Sequence, residues 1–174
     1  MPKMYIISGC NGSGKTTASY ALLPELVEWV RAQAPTAEVV FHQTWAYAKT
    51  SSHSGFANYG RDQRTMYNAI IGTTRAEARK AGIRRFIPTG AAVQNARETA
   101  LGDDLTRDGY HLSYGVGRYI AAATWYEALC HRSVVGNAYV PDGSEPGTEA
   151  LTPEECRLAQ KAVHKAVKRP FKKR

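Results

Sequence analysis

The chain has 174 residues, which suits one domain with its own core and leaves little room for two. With 43% hydrophobic and 22% charged residues it excludes extended disorder and collagen-like structure, and its short apolar runs make no transmembrane span expected. The formal charge of +8 gathers in residues 161–174, where seven Lys and Arg meet no acid; the rest holds 16 bases against 15 acids, so nucleic acid is an unexpected partner and the basic tail is expected at most to touch anionic surfaces.

Met4–Ser8 reads as a short buried strand and Gly9–Gly14 as a Gly-rich turn. A helix starts near Lys15. Pro24 either kinks it or opens a second helix at Glu25, because proline lacks a donor N–H and crowds the preceding turn. Ala37–Gln43, with Val39 and Val40 beside Phe41, predicts the second strand. Residues 44–60 lack a helical period and predict a functional or packed surface loop. Its Trp45, Tyr47, His53, Phe56 and Tyr59 suit either a carbohydrate-stacking pocket or a buried anchor.

Met66, Ile70, Thr74 and Ala78 give the i, i+4 stripe of a helix over 61–81, and Gly82 is placed to end it. Ile83–Pro88 predicts a third strand, residues 91–100 a short helix, and 102–113 a polar loop. A helix over 117–131 follows, with Trp125 and Tyr126 expected in the core. The glycines and prolines of 133–151 predict a linker or arm. Thr152-Pro153-Glu154-Glu155 has the pattern of a capping box and starts the last helix. The alternation predicts an α/β fold: a three-layer α/β/α sandwich with a small, mostly parallel sheet, truncated. One α/β domain would span 1–132, followed by the arm and by a C-terminal helix and basic tail over 152–174. Cys10, Cys130 and Cys156 give no disulfide framework, and no signal peptide is seen, so reduced thiols in the cytoplasm are expected.

Two patterns carry chemistry. Gly9-Cys10-Asn11-Gly12-Ser13-Gly14-Lys15-Thr16 fits G-x-x-x-x-G-K-[ST] between a strand and a helix. Such a loop turns its N–H groups onto phosphate oxygens at a helix N-terminus. Gly9, Gly12, Ser13 and Gly14 would form the cradle, Lys15 would neutralise phosphate charge, and Thr16 would offer its hydroxyl to Mg²⁺. ATP or GTP with Mg²⁺ is then the expected ligand. Neither the second nor the third strand ends in the acid that a P-loop kinase needs for Mg²⁺. Residues 4–25 resemble the start of zeta-toxin-type P-loop kinases, and the likeness stops there.

The second pattern is Asp108-Gly109-Tyr110-His111. Two intervening residues let a carboxylate orient an imidazole whose other nitrogen acts as a base. Leu105–Ser113, followed by Gly117-Arg118-Tyr119, resembles the last sequence block of SGNH/GDSL-type hydrolases. His42–Tyr47, Arg61–Gln63, Ile87–Gly90 and Gln94–Arg97 extend the likeness, from about Leu26 onward, to an uncharacterised bacterial family of that clan. The resemblance implies a flavodoxin-like α/β/α fold and hydrolysis of carboxylic esters, often acyl groups on carbohydrates, with no cofactor required. It makes His111 the base, Asp108 its partner, and Gln43 a donor toward an oxyanion. The clan's serine would fall at Asn11, with Ser8, Cys10 and Ser13 nearby but out of register.

The two resemblances meet near Glu25, which suggests a kinase-type first unit fused to part of an SGNH-like domain. Three readings follow: an acyl-ester hydrolase, competent or crippled; an ATP- or GTP-binding P-loop protein or small-molecule kinase; and an inactive fusion remnant. The expected partner is a small-molecule ester, a carbohydrate or a nucleotide.

Overall fold

The structure, a computed structural model, describes residues 5–8 and 15–174, with side chains from Leu22 onward. The strands β1 (Tyr5–Ser8), β2 (Val39–His42) and β3 (Arg85–Ile87) form one parallel sheet in the order β1-β2-β3. Ser8 pairs with His42, and His42 with Ile87, so the strands end level with one another. The helices are α1 (Lys15–Gln33), α2 (Gln63–Lys80), α3 (Thr89–Arg97), α4 (Val116–Cys130) and α5 (Pro153–Lys168).

Alternation along β2 sorts the helices into layers. Val39 and Phe41 pack with Leu23, Val27 and Val30 of α1 and with Ala78 of α2. Val40 points the other way and packs with Ile87, Ala128 and Trp125, the last two from α4. Two β-α-β units that step across the sheet in one direction place their helices on one face, because such crossovers are right-handed. The molecule is therefore an α/β/α sandwich around three strands. α3, α4 and α5 share one core, in which Ala92, Val93, Ile120, Ala159 and Val163 are fully buried.

The expected elements are present, the strands, α2 and α5 with shorter bounds and α3 and α4 starting earlier than expected. α1 runs through Pro24 without a break. One lost helix bond is outweighed there by a face that buries Leu23, Val27 and Val30. Residues 44–60 contain a 3₁₀ turn (Ser54–Tyr59), and Tyr47 and Phe56 are buried, so the loop is a packed one. Tyr126 is exposed rather than in the core. The Thr152–Glu155 capping box forms in full. Residues 133–151 have no helix or strand but are tied down, with Arg118 donating to the Gly147 carbonyl (2.7 Å) and Gln160 to that of Asn137 (2.9 Å).

The basic tail does not hang free. Pro170–Arg174 lies against α2, α3 and the sheet. Tyr67 donates to the Lys172 carbonyl (2.8 Å), and Phe171 packs edge-on against Phe86 of β3 (4.7 Å). Arg174 exchanges backbone hydrogen bonds with the Asn68 side chain (2.6 and 2.9 Å). α5 and the tail are thus parts of the body rather than an appendage. Among the described residues no helix is long and apolar enough to cross a membrane.

Candidate functional site

In α/β sheets the carboxyl ends of the strands are where loops can converge on a ligand. The loop after β2 and the loop between α3 and α4 meet there. Trp45 donates its indole N–H to the Tyr110 carbonyl (2.7 Å), and the Ala48 N–H donates to that of Gly109 (2.8 Å). Asp103 accepts from the Lys49 N–H (2.7 Å) and from the Gln63 amide (2.8 Å), and it pairs with Arg97 (2.6 Å). Arg97 in turn donates to the Ala46 carbonyl (3.0 Å). These bonds clip the Asp108 loop to the end of β2.

Within that loop Asp108 and His111 face each other. Oδ2 of Asp108 lies 2.6 Å from Nδ1 of His111. Its other oxygen accepts from the backbone N–H groups of His111 (2.7 Å) and Tyr110 (3.1 Å). The turn is pinned across its base by Arg107 N–H to the His111 carbonyl (2.9 Å) and by an antiparallel bridge from Thr106 to Leu112. Partial desolvation pushes the Asp108 carboxyl up, but the imidazole bond, the two N–H donors and the nearby His111 charge outweigh it. The carboxyl drops from its ordinary 3.8 to about 2. Asp108 is therefore ionised in neutral solution, holds Nδ1–H, and leaves Nε2 as the basic nitrogen. The His111 side chain is 53% exposed, so that nitrogen is open to a ligand.

Aromatic rings brace the pair. Tyr110 packs on His111 (4.2 Å between ring centres) and on His53 (4.9 Å), and Tyr47 contacts both Tyr110 and His53. Arg107 and Arg118 lie over the Tyr114 ring at 4.7 and 4.3 Å. A polar cleft of about 450 Å³ adjoins Asp108, lined by Thr50, Ser52, Asp104, Thr106 and Arg107 among others.

The remaining sequence candidates fall as follows. Ser8 closes β1, and Lys15 and Thr16 open α1. Gly9, Cys10, Gly12, Ser13 and Gly14 lie outside the described residues. Gln43 directly follows β2, at the strand's C-terminal end where the oxyanion donor is expected. It is fully buried, its Oε1 accepts from the Ala91 N–H (2.8 Å), and its Nε2 donates to the Pro170 carbonyl (3.2 Å). Its backbone carbonyl also accepts from Gly90 N–H (3.2 Å). Gln43 thus caps the N-terminus of α3, where Pro88 offers no side-chain acceptor. Among the described residues no cluster of His, Cys, Asp or Glu could hold a metal ion.

Some supporting residues gave little sequence signal. Trp45 and Arg97 are single residues whose partners lie 65 and 51 positions away. Gly109 carried more, since an Asp-Gly pair marks a turn with positive φ, and φ is +87° there.

Residues 5–166 match the family model described as a domain of unknown function, DUF4886. A DUF4886 family protein from Bacteroides uniformis, solved by crystallography, superposes with a TM-score of 0.85 at 42% identity. The match covers 96% of this chain and 63% of that protein, so the chain spans less than two thirds of the relative. A candidate GDSL-like lipase from Parabacteroides merdae superposes with a TM-score of 0.54 at 15% identity, over 73% of this chain and 61% of its own. At that identity the likeness is one of fold. No curated protein matches. The family match begins at residue 5 and takes in the segment read as a kinase-type unit; none of these matches supports a zeta-toxin-type unit or a fusion. Matched over nearly its whole length, and closely similar in sequence and fold to a solved member, the chain belongs to the DUF4886 family.

Proposed function

We propose that this domain hydrolyses carboxylic esters in the manner of SGNH/GDSL enzymes, with acyl groups on carbohydrates among its substrates. The observation that carries the proposal is the Asp108–His111 pair, with a 2.6 Å bond at Nδ1 and an exposed ring. The GDSL-like fold relative supports it. In this reading Nε2 of His111 takes the proton of a nucleophile as it attacks the ester carbonyl. The same nitrogen returns the proton to the departing alcohol, and water then clears the acyl group by the reverse path. Ser8, at the end of β1, and Cys10 are the candidate nucleophiles. Thr50, Ser52 and Asp104 offer hydrogen-bonding partners for sugar hydroxyls in the adjoining cleft. Gln43 Nε2 keeps a second N–H besides the one given to Pro170, but the side chain is fully buried and would need an opening to reach an oxyanion.

The test is release of p-nitrophenol from its acetate ester by the purified chain. His111→Ala is expected to lower the rate by about 10² or more, and Asp108→Asn nearly as much. Rates equal to wild type in both variants would end the proposal, and a wild type with no activity would favour an inactive domain. Ser8→Ala and Cys10→Ala separate the two nucleophiles. Nucleotide binding has the Gly9–Thr16 motif alone behind it, and Mg²⁺-ATP titration of wild type against Lys15→Ala decides it.

A further inference from the structure

Four of the seven C-terminal cations gather at one concave place far along the sequence from Asp108. Lys161, Lys165 and Lys168 share one face of α5 at i, i+4 and i+7, and Arg169 follows the helix. With Val135 and His164 they line a cleft of about 410 Å³ that has no acid in its wall. All four cations are exposed, and among the described residues none of them forms an ion pair. Neighbouring cations behave differently. Arg157 pairs with Glu154, and Arg174 with Glu98.

Like charges one turn apart destabilise a helix. Cations in a last turn complement the helix dipole, which accounts for Lys165 and Lys168. It does not account for Lys161, two turns back, or for a wall without acids. The histidine adds a fixed group to the same cleft. Glu127 is buried and holds Nδ1 of His164 at 2.6 Å, while its second oxygen accepts from the Val134 N–H (2.9 Å). Ser133 Oγ also lies 3.3 Å from that nitrogen. The ring is thereby set in the wall with Nδ1 committed to the interior, which leaves Nε2 for a ligand.

We propose that this cleft binds a phosphoryl group bearing two or more negative charges. The lysines act as point charges, Arg169 as a fork that matches two phosphate oxygens, and His164 as a fixed hydrogen-bonding ring. The group could be free in solution or part of a lipid headgroup, and the chemistry recognised is the same. The site stands apart from the Asp108–His111 pair, so it does not depend on the esterase reading.

The full chain is titrated calorimetrically with sodium tripolyphosphate. In parallel it is sedimented with phosphatidylcholine vesicles, with and without phosphatidylinositol 4-phosphate. Wild type is expected to bind one or both phosphorylated probes. The double variant Lys165→Gln/Lys168→Gln should bind at least tenfold more weakly, and His164→Asn several-fold more weakly. Arg169→Gln repeats the test at the C-cap, outside the helical turns and with the capping backbone N–H kept, and Lys80→Gln on α2 controls for diffuse charge. Tripolyphosphate binding lost in the double variant identifies a soluble ligand; vesicle binding alone, lost in the same way, identifies a headgroup. Binding to neither probe overturns the proposal. So does binding that survives the double variant and Arg169→Gln, or that Lys80→Gln weakens equally.

Discussion

Gly109 follows Asp108 at φ +87°, and a Cβ built there would meet the Ser51 Cα at 2.9 Å. Any other residue must both adopt a left-handed conformation and push the Asp108 loop off the loop after β2. Gly109→Ala is expected to cost about 1–3 kcal/mol, read by urea unfolding, and to lower ester hydrolysis with it. Unchanged values of both would show that the loop is not held as the structure has it. His42 makes a different kind of prediction. Burial lowers it from 6.5 to about 4. Its Nε2 accepts from Trp125 (3.3 Å) and lies 2.9 Å from Thr89 Oγ1, so the ring is neutral when folded. The unfolded chain takes up this proton near pH 6.5 and the folded chain only near 4. Stability at this site is therefore full above about 6.5 and falls as pH drops toward 4, by on the order of 2–3 kcal/mol. His42→Gln, which keeps an acceptor, should flatten the acid side of a stability-against-pH curve between those values. An unaltered curve would rule His42 out as its source.

At the scale of elements, Gln43 joins the end of β2 to the start of α3. Gln43→Ala leaves the Ala91 N–H buried without its acceptor and empties a fully buried site. A loss of about 1–3 kcal/mol is expected in thermal or urea unfolding. If stability is unchanged while hydrolysis falls, the residue is an oxyanion donor after all. Gly90 is held in the same place by closeness alone, since a Cβ there would lie 1.9 Å from the Thr44 carbonyl oxygen. Much of the element order was legible. Val39-Val40-Phe41 announced β2, the Met66–Ala78 stripe α2, and Thr152–Glu155 the start of α5, because each signal is local. What the sequence did not carry was how the elements are tied. Gln43 reads as a polar residue at a strand end, which suits an oxyanion donor as well as a cap. The capping bond depends on the position of α3, and that comes from packing 48 residues away. Asp108 and His111 were legible as a pair for the opposite reason: only two residues separate them, so one turn brings them together.

For the molecule as a whole, the tail decides how much of the chain is one cooperative body. By composition Pro170–Arg174 is a solvated basic extension. In the structure its partners Tyr67, Asn68 and Gln43 lie 105 to 127 residues away, a distance over which no local pattern can speak. Tyr67 is buried to 1% exposure with the tail in place, so removing the tail takes away its acceptor, the Lys172 carbonyl, and opens the hydroxyl to water. A hydrogen bond exchanged for one to water costs about 0.5–1.5 kcal/mol. Phe171 is only partly buried, so its contact with Phe86 adds about 1–2 kcal/mol. Deletion of residues 170–174 should then lower the melting temperature by about 2–4 °C for each kcal/mol lost, and Phe171→Ala by part of that. The positive charge gives the contrast. Were the tail solvated and Arg174 not held by Glu98, removing Lys172, Lys173 and Arg174 would relieve repulsion and leave the melting temperature unchanged or higher. A deletion that melts at or above the wild-type temperature would therefore mean that the tail rests on the body without holding it. A clear fall would make α2, α3 and the C-terminal residues a single folding unit, with the cationic cleft on α5 fixed in place at its edge.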